Sequence, residues 1–163
     1  MICLGVDPGT DRLGVGVVAT EGQQLIPLYV ATISPVRGIS YEKRLQYLYE
    51  EVSKVMAHYK PQVVGVEKLF FSRNVTTAMT VGEARGLILL AVAQANVDLV
   101  ECTPSEVKQA VTGYGRADKM QVQQMVTRLL RLPEVPTPDD GADALAIAIC
   151  TVGRYAFARR LGQ

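Results

Sequence analysis

The first twenty residues, MICLGVDPGTDRLGVGVVAT (Met1 to Thr20), decide how the rest of the chain is read. Ile2 to Val6 is a short apolar run that meets an acid at Asp7, and Asp7-Pro8-Gly9-Thr10-Asp11 supplies turn chemistry. Leu13 to Thr20 resumes the apolar run. After a Glu21-Gly22 turn, Gln24 to Ile33 follows, so the N-terminus reads as an antiparallel meander of three strands. An apolar run ending in a carboxylate recurs farther on, where Val63-Val64-Gly65-Val66 meets Glu67. Between the two, Tyr41 to Lys60 switches to a helical period. Leu45, Leu48, Val52, Val55, Met56 and Tyr59 mark one face, and Pro61 stops it. A helix leading into a short buried strand implies parallel pairing with an earlier strand. If the two acid-ended strands are neighbours, Asp7 and Glu67 emerge at the same carboxyl edge, where open α/β folds place their sites.

Working outward, Thr77 to Ala95 is helical and apolar on every side around Leu87-Ile88-Leu89-Leu90, so both of its faces need cover. Another subunit and the core itself are the two candidate covers. Val97 to Cys102 is a further strand. Thr103-Pro104-Ser105-Glu106 matches a capping box with proline at the first helical position, opening a short helix closed by Gly113. Asp118 starts a helix with Val122, Met125, Val126, Leu129 and Leu130 in phase, ended by Pro133. Thr137-Pro138-Asp139-Asp140 opens the last helix, running to about Arg159. The order βββαβα-βααα describes an α/β fold with a mixed sheet.

At 163 residues, 48% hydrophobic and 20% charged, the chain is expected to form a single domain over 1–163. Disorder, a collagen-like fibre and a disulfide scaffold are excluded by that composition. Net charge is +1, so a polyanionic partner has to be met by a local patch. Cys3, Cys102 and Cys150 are odd in number and widely spaced, which suits reduced thiols in a cytoplasmic protein. No basic region precedes the first strand and no apolar run approaches about 20 residues, so neither a signal peptide nor a membrane span is expected.

The last helix carries the strongest chemical signal. Asp140 and Asp143 are three apart and share a face that continues through Ala144, Ile147 and Thr151, the stripe that packs inward. Helix-dipole stabilisation accounts for Asp139 but not for acids on an inward face, where an unpaired charge costs several kcal/mol. An aspartate before Pro-Gly is often only a turn former, and a lone glutamate at a strand end is often only solvated. Four carboxylates converging without histidine or cysteine describe a hard-cation, all-oxygen site suited to Mg²⁺ or Mn²⁺ and not Zn²⁺. The one histidine, His58, belongs to the end of the first helix. Lys108, Arg116 and Lys119 flank Thr112-Gly113-Tyr114-Gly115, and Lys68 and Arg73 flank the Phe70-Phe71 pair after Glu67. A charge group is usually a solvated face; next to the two acid-bearing edges, phosphate contact is expected of these.

The stretches GVDPGTDRLGVGVV, VGVEKLFFSRN, Ala84-Arg85-Gly86, VKQAVTGYGRADKMQVQQMV and ADALAIAI span nearly the whole chain. In that order they resemble the RuvC family of crossover-junction (Holliday junction) endonucleases, of the ribonuclease-H-like superfamily. The resemblance implies a ribonuclease-H-like mixed five-stranded sheet flanked by helices. It matches Asp7, Glu67, Asp140 and Asp143 to the family's catalytic metal-binding acids. By the family's mechanism, two Mg²⁺ ions (Mn²⁺ substituting) roughly 4 Å apart activate water, with Asp7 bridging them, Glu67 on one, and Asp140 with Asp143 on the other. The same resemblance implies symmetric paired nicks with 5′-phosphate and 3′-hydroxyl ends, and a C2 homodimer, with the Leu87 to Leu90 helix as the candidate interface. Lys108 and Lys119 match basic residues near the scissile phosphate. Phe70 and Phe71 match an aromatic loop that stacks on unpaired bases, one of the two being expected to plug the loop into the core instead. The RuvA-RuvB branch-migration complex is the implied protein partner.

Three rivals share features with this reading. A D-x-G-T turn after a first strand also occurs in actin-like and sugar-kinase ATP-binding domains, but that class needs a duplicated second lobe. A shorter resolvase family begins with a similar strand pair; the Glu67 loop and the ADALAIAI helix favour RuvC. A junction-binding module without catalysis would have no use for four intact acids.

Overall fold

The computed structural model describes residues 1–68 and 75–162, with the backbone alone over 75–78. Strands β1 (Ile2–Asp7), β2 (Leu13–Glu21) and β3 (Gln24–Ile33) form the expected antiparallel meander. After helix α1 (Tyr41–Tyr59), strand β4 (Val63–Glu67) pairs parallel with β1. Helix α2 (Val75–Ala95) leads to β5 (Asp98–Cys102), parallel to β4. The five-stranded sheet therefore runs β3-β2-β1-β4-β5. Helices α3 (Pro104–Thr112), α4 (Lys119–Leu129) and α5 (Asp139–Arg160) complete the chain. The expected mixed sheet is present. α2 begins two residues earlier than the sequence suggests, and α4 ends at Leu129, well short of Pro133, with Leu130 as its cap.

Strand alternation divides the core into two layers. Leu4, Val6, Val15, Val17, Val64 and Val66 face α1 and α2, packing on Leu48, Val52, Met56, Ile88 and Val92. The opposite face receives α5, with α3 and α4 outside it. That face is nearly bare of side chains at its centre. Gly5 pairs in register with Gly16 on one side and Gly65 on the other, and Gly14 pairs with Asp7. A Cβ at Gly5 would strike the backbone of Ala144 and Ala148, one at Gly14 the backbone of Asp140, and one at Gly65 the side chain of Thr151. The four glycines form a trough into which α5 lies directly on the sheet. Close backbone approach of this kind is the reason glycine is tolerated inside strands.

α5 is long and apolar enough, by length and composition alone, to cross a membrane, which departs from the expectation that no such segment exists. Its Gly141, Ala142 and every residue over 144–151 are buried against the sheet and α3. A core helix covered on all sides carries the same composition as a spanning one. The covering of α2 is uneven: Ala84, Ile88, Ala91 and Val92 are buried, while Leu90 is 53% and Met79 64% exposed. The cysteines are free and buried.

Candidate active site

Val6 and Val66 are register partners on parallel strands, so Asp7 and Glu67, one residue on, end their strands level with each other. Both share the strand parity of Gly5 and Gly65 and therefore point to the α5 side of the sheet. α5 is oriented by the glycine trough with its N-terminus at this edge: Gly14, the partner of Asp7, packs on Asp140. The four expected acids are thereby collected at the carboxyl edge of the sheet.

Their electrostatics show mutual crowding. The Asp7 carboxyl is pushed up to about 7, by burial first and then by the negative charges of Asp143, Glu67 and Asp140, with Lys119 opposing. Burial and Asp143 raise Glu67, against Lys108. Asp143 is raised by burial in spite of its hydrogen bond from Lys119. Carboxylates held this close disfavour one another's ionised form, a cost that a proton or a bound cation relieves. Asp139 differs. Its side chain is 41% exposed and hydrogen-bonded by Lys119, which holds its carboxyl below the usual range, whereas the Asp140 side chain is only 17% exposed. The structure thus turns Asp140 inward and Asp139 outward, as the spacing to Asp143 implies.

Two cations sit among the acids. Lys119 Nζ is 3.1 Å from Asp143 and also bonds Asp139, pairings that raise its ammonium above the ordinary lysine range. It is placed there by the Asp118 capping box, in which Asp118 and Gln121 exchange side-chain-to-backbone bonds of 2.8 and 3.0 Å, fixing Lys119 as the first residue of α4. The second is Arg12, whose Nε lies 3.3 Å from Asp140 Oδ2. Sequence reasoning passed over Arg12; its only local signal is its position just after the Asp7 turn.

Among the described residues, no three histidine, cysteine, aspartate or glutamate side chains close into an ion cage. Nevertheless the donors suit a hard cation. Asp140 Oδ2 is buried and accepts no hydrogen bond, its contact with Arg12 being an ion pair only. Every candidate donor is a carboxylate oxygen, the ligand type of Mg²⁺ and Mn²⁺.

Of the expected DNA-contacting residues, Lys108 is half-buried on α3, and its charge acts on Glu67. α3 is opened by the predicted Thr103 capping box, with bonds of 2.7 and 3.2 Å, and closed by Gly113 at φ +75°. Arg116 is exposed between α3 and α4. Lys68 is exposed just past Glu67, its backbone N–H donating to Cys102 O at 2.8 Å. Phe70, Phe71 and Arg73 lie outside the described residues.

The family described as crossover junction endodeoxyribonuclease RuvC matches this sequence over residues 3–151. A crossover junction endodeoxyribonuclease RuvC from Heliobacterium modesticaldum is 53% identical over 150 residues, covering 92% of this chain and 93% of its own. The protein of the same description from Desulfitobacterium hafniense is 49% identical over 162 residues, 99% and 98% of the two chains. Among solved structures, T. thermophilus RuvC in complex with Holliday junction substrate superposes with a TM-score of 0.89 at 37% identity, covering 99% of this chain and 96% of that one.

Proposed function

Because the chain belongs to the RuvC family of crossover junction endodeoxyribonucleases, we propose that it cuts four-way (Holliday) DNA junctions in recombination and repair. The reaction is metal-dependent phosphodiester hydrolysis by paired symmetric nicks that leave 5′-phosphate and 3′-hydroxyl ends. The observation that carries the reading is the gathering of carboxylates at one sheet edge, Asp7 level with Glu67 and Asp140 packed beside Gly14, with burial and the neighbouring acids raising Asp7. Asp7, Glu67, Asp140 and Asp143 would hold the divalent ions, two Mg²⁺ with Mn²⁺ able to substitute. Such ions, when bound, stabilise both the attacking and the leaving oxygen and lower the pKa of water.

The chain's own groups do the rest. Lys119 stays charged across the working pH range and lies against Asp143, where it meets a phosphate brought to the acids. Lys108 stands on the Glu67 side in the same role. Arg116 and Lys68, both exposed, hold the backbone of the junction arms together with Arg73, while one of Phe70 and Phe71 stacks on unpaired bases at the junction centre. Two cuts in strands of like polarity need two sites, which a C2 homodimer provides. The exposed Leu90 and Met79 of α2 supply apolar surface for it. A junction-processing enzyme of this kind works in the cytoplasm, alongside a RuvA-RuvB branch-migration complex.

The test is a labelled mobile four-way junction incubated with Mg²⁺ or Mn²⁺, beside a linear duplex of the same sequence and an EDTA control. Metal-dependent paired nicks in the junction alone are expected. Tight binding without cutting would replace the nuclease by a binding module, and indifference to junction structure would overturn the reading.

A further inference from the structure

A second basic feature, distinct from Lys108 and Lys119, borders the acids at Arg12. Three arginines from three separate segments line one hollow of about 420 Å³: Arg12 after the β1 turn, Arg37 in the 34–40 segment and Arg44 in the first turn of α1. Ser34 adds a hydroxyl, and Asp11 is the one acid, ion-paired with Arg44 and itself 84% exposed. Arg12 is ion-paired with Asp140 and Arg44 with Asp11, which leaves Arg37 as the lining cation with no ion-pair partner among the described residues. Three arginines beside the acids make this flank locally attractive to a polyanion. A guanidinium offers the planar, two-point hydrogen bonding that phosphate accepts, and three arginines border this one hollow.

Position identifies the anion. Arg12 borders both places, lining the hollow while its Nε lies 3.3 Å from Asp140. A strand whose phosphodiester rests on the acids has Arg12 beside it, and through Arg12 the hollow. We propose that the Arg12–Arg37–Arg44 hollow binds a backbone phosphate of the cleaved strand neighbouring the scissile one, and so sets the register of the strand over the acids. This rests on the functional reading above. Asp11 acts as an internal competitor that occupies Arg44 until the phosphate arrives.

The test measures binding of a fluorescein-labelled four-way junction in EDTA, across a salt series, for wild type, Arg37→Gln, Asp11→Asn and Arg128→Gln. Arg128 is at the far end of α4 from the acids and serves as the control for charge alone. Arg37→Gln should weaken binding several-fold and reduce the slope of log K against log salt by about 0.9, the loss of one phosphate contact. Asp11→Asn should tighten binding, and Arg128→Gln should leave it unchanged. A junction with methylphosphonate at the phosphates flanking the cleavage position should penalise wild type more than Arg37→Gln. Arg37→Gln and Asp11→Asn with wild-type affinity and slope would overturn the phosphate site alone, as would an equal loss in Arg128→Gln. Wild-type protein that fails to bind the junction would overturn the functional reading and this site with it.

Discussion

Gly5→Ala tests whether the seat of α5 on bare backbone is what assembles the site. In an ordinary strand the change is mildly favourable, by roughly 0.5–1 kcal/mol, because glycine has more freedom to lose on folding. Here the added Cβ falls against the carbonyl of Ala144 and at 2.5 Å from the nitrogen of Ala148, both backbone atoms that no rotamer change can move. Restoring an ordinary 3.4 Å contact with that nitrogen alone requires a further separation of about 0.9 Å, and the nearer Ala144 carbonyl requires more, so α5 must lift by about 1 Å or more. Overpacking of this kind costs about 1–3 kcal/mol, and because both clashing atoms are backbone the upper part of that range applies, so a net destabilisation of up to about 2.5 kcal/mol is expected. The effect on cutting should be larger. α5 carries Asp140 and Asp143 while β1 carries Asp7, so the lift separates the acids directly, and a misplacement near 1 Å costs about 100-fold in rate. Urea unfolding and single-turnover junction cleavage on the same preparations provide the two numbers. Gly153→Ala, on α5 with open space around it, should gain up to about 1 kcal/mol and cut normally. Gly5→Ala with wild-type stability and wild-type cutting would refute the reasoning.

The remaining predictions concern charge and surface. Asp7 titrates near 7 in the fold against 3.8 unfolded, so the folded protein binds the extra proton and metal-free stability falls as pH rises from about 4 to 7. Asp7→Asn should flatten that slope and unfold at higher urea than wild type at pH 8 in EDTA, with equal or steeper pH dependence as the contrary result. Asp140→Asn should abolish cutting while junction binding is kept or tightened, whereas Asp139→Asn should retain most activity; the reverse ranking would move the site residue to Asp139. Leu90→Asp, at a position already 53% exposed, should leave folding intact by circular dichroism and yield monomer by sedimentation; a persistent dimer would place the interface elsewhere.

Much of the fold is readable locally, for definite reasons. The switch from apolar strand runs to the Leu48–Val52–Met56 stripe, the Thr103 capping box and the Gly113 stop all depend on residues within one or two turns of each other. Helix ends without such markers were less legible. α4 stops at Leu129 although the next proline is Pro133, because its last turn is closed by backbone bonds that leave no trace in residue type. The inward stripe from Asp140 through Ala144 to Thr151 was readable from helical spacing, and the structure lays it on Gly14, Gly5 and Gly65.

By itself, the sequence determined the order of elements, the two strands that end in Asp7 and Glu67, and the pairing of Asp140 with Asp143, because helical and strand periods are local properties. Tertiary structure alone decided that β1 lies between β2 and β4, which sets Asp7 level with Glu67. It alone revealed the glycine trough, whose members are separated by up to sixty residues yet meet across adjacent strands. It also decided which cation meets which acid, Lys119 on Asp143 and Arg12 on Asp140, and gathered Arg12, Arg37 and Arg44 around one hollow. Charges act through space, and the distances between them are set by how sheet and helices close on one another.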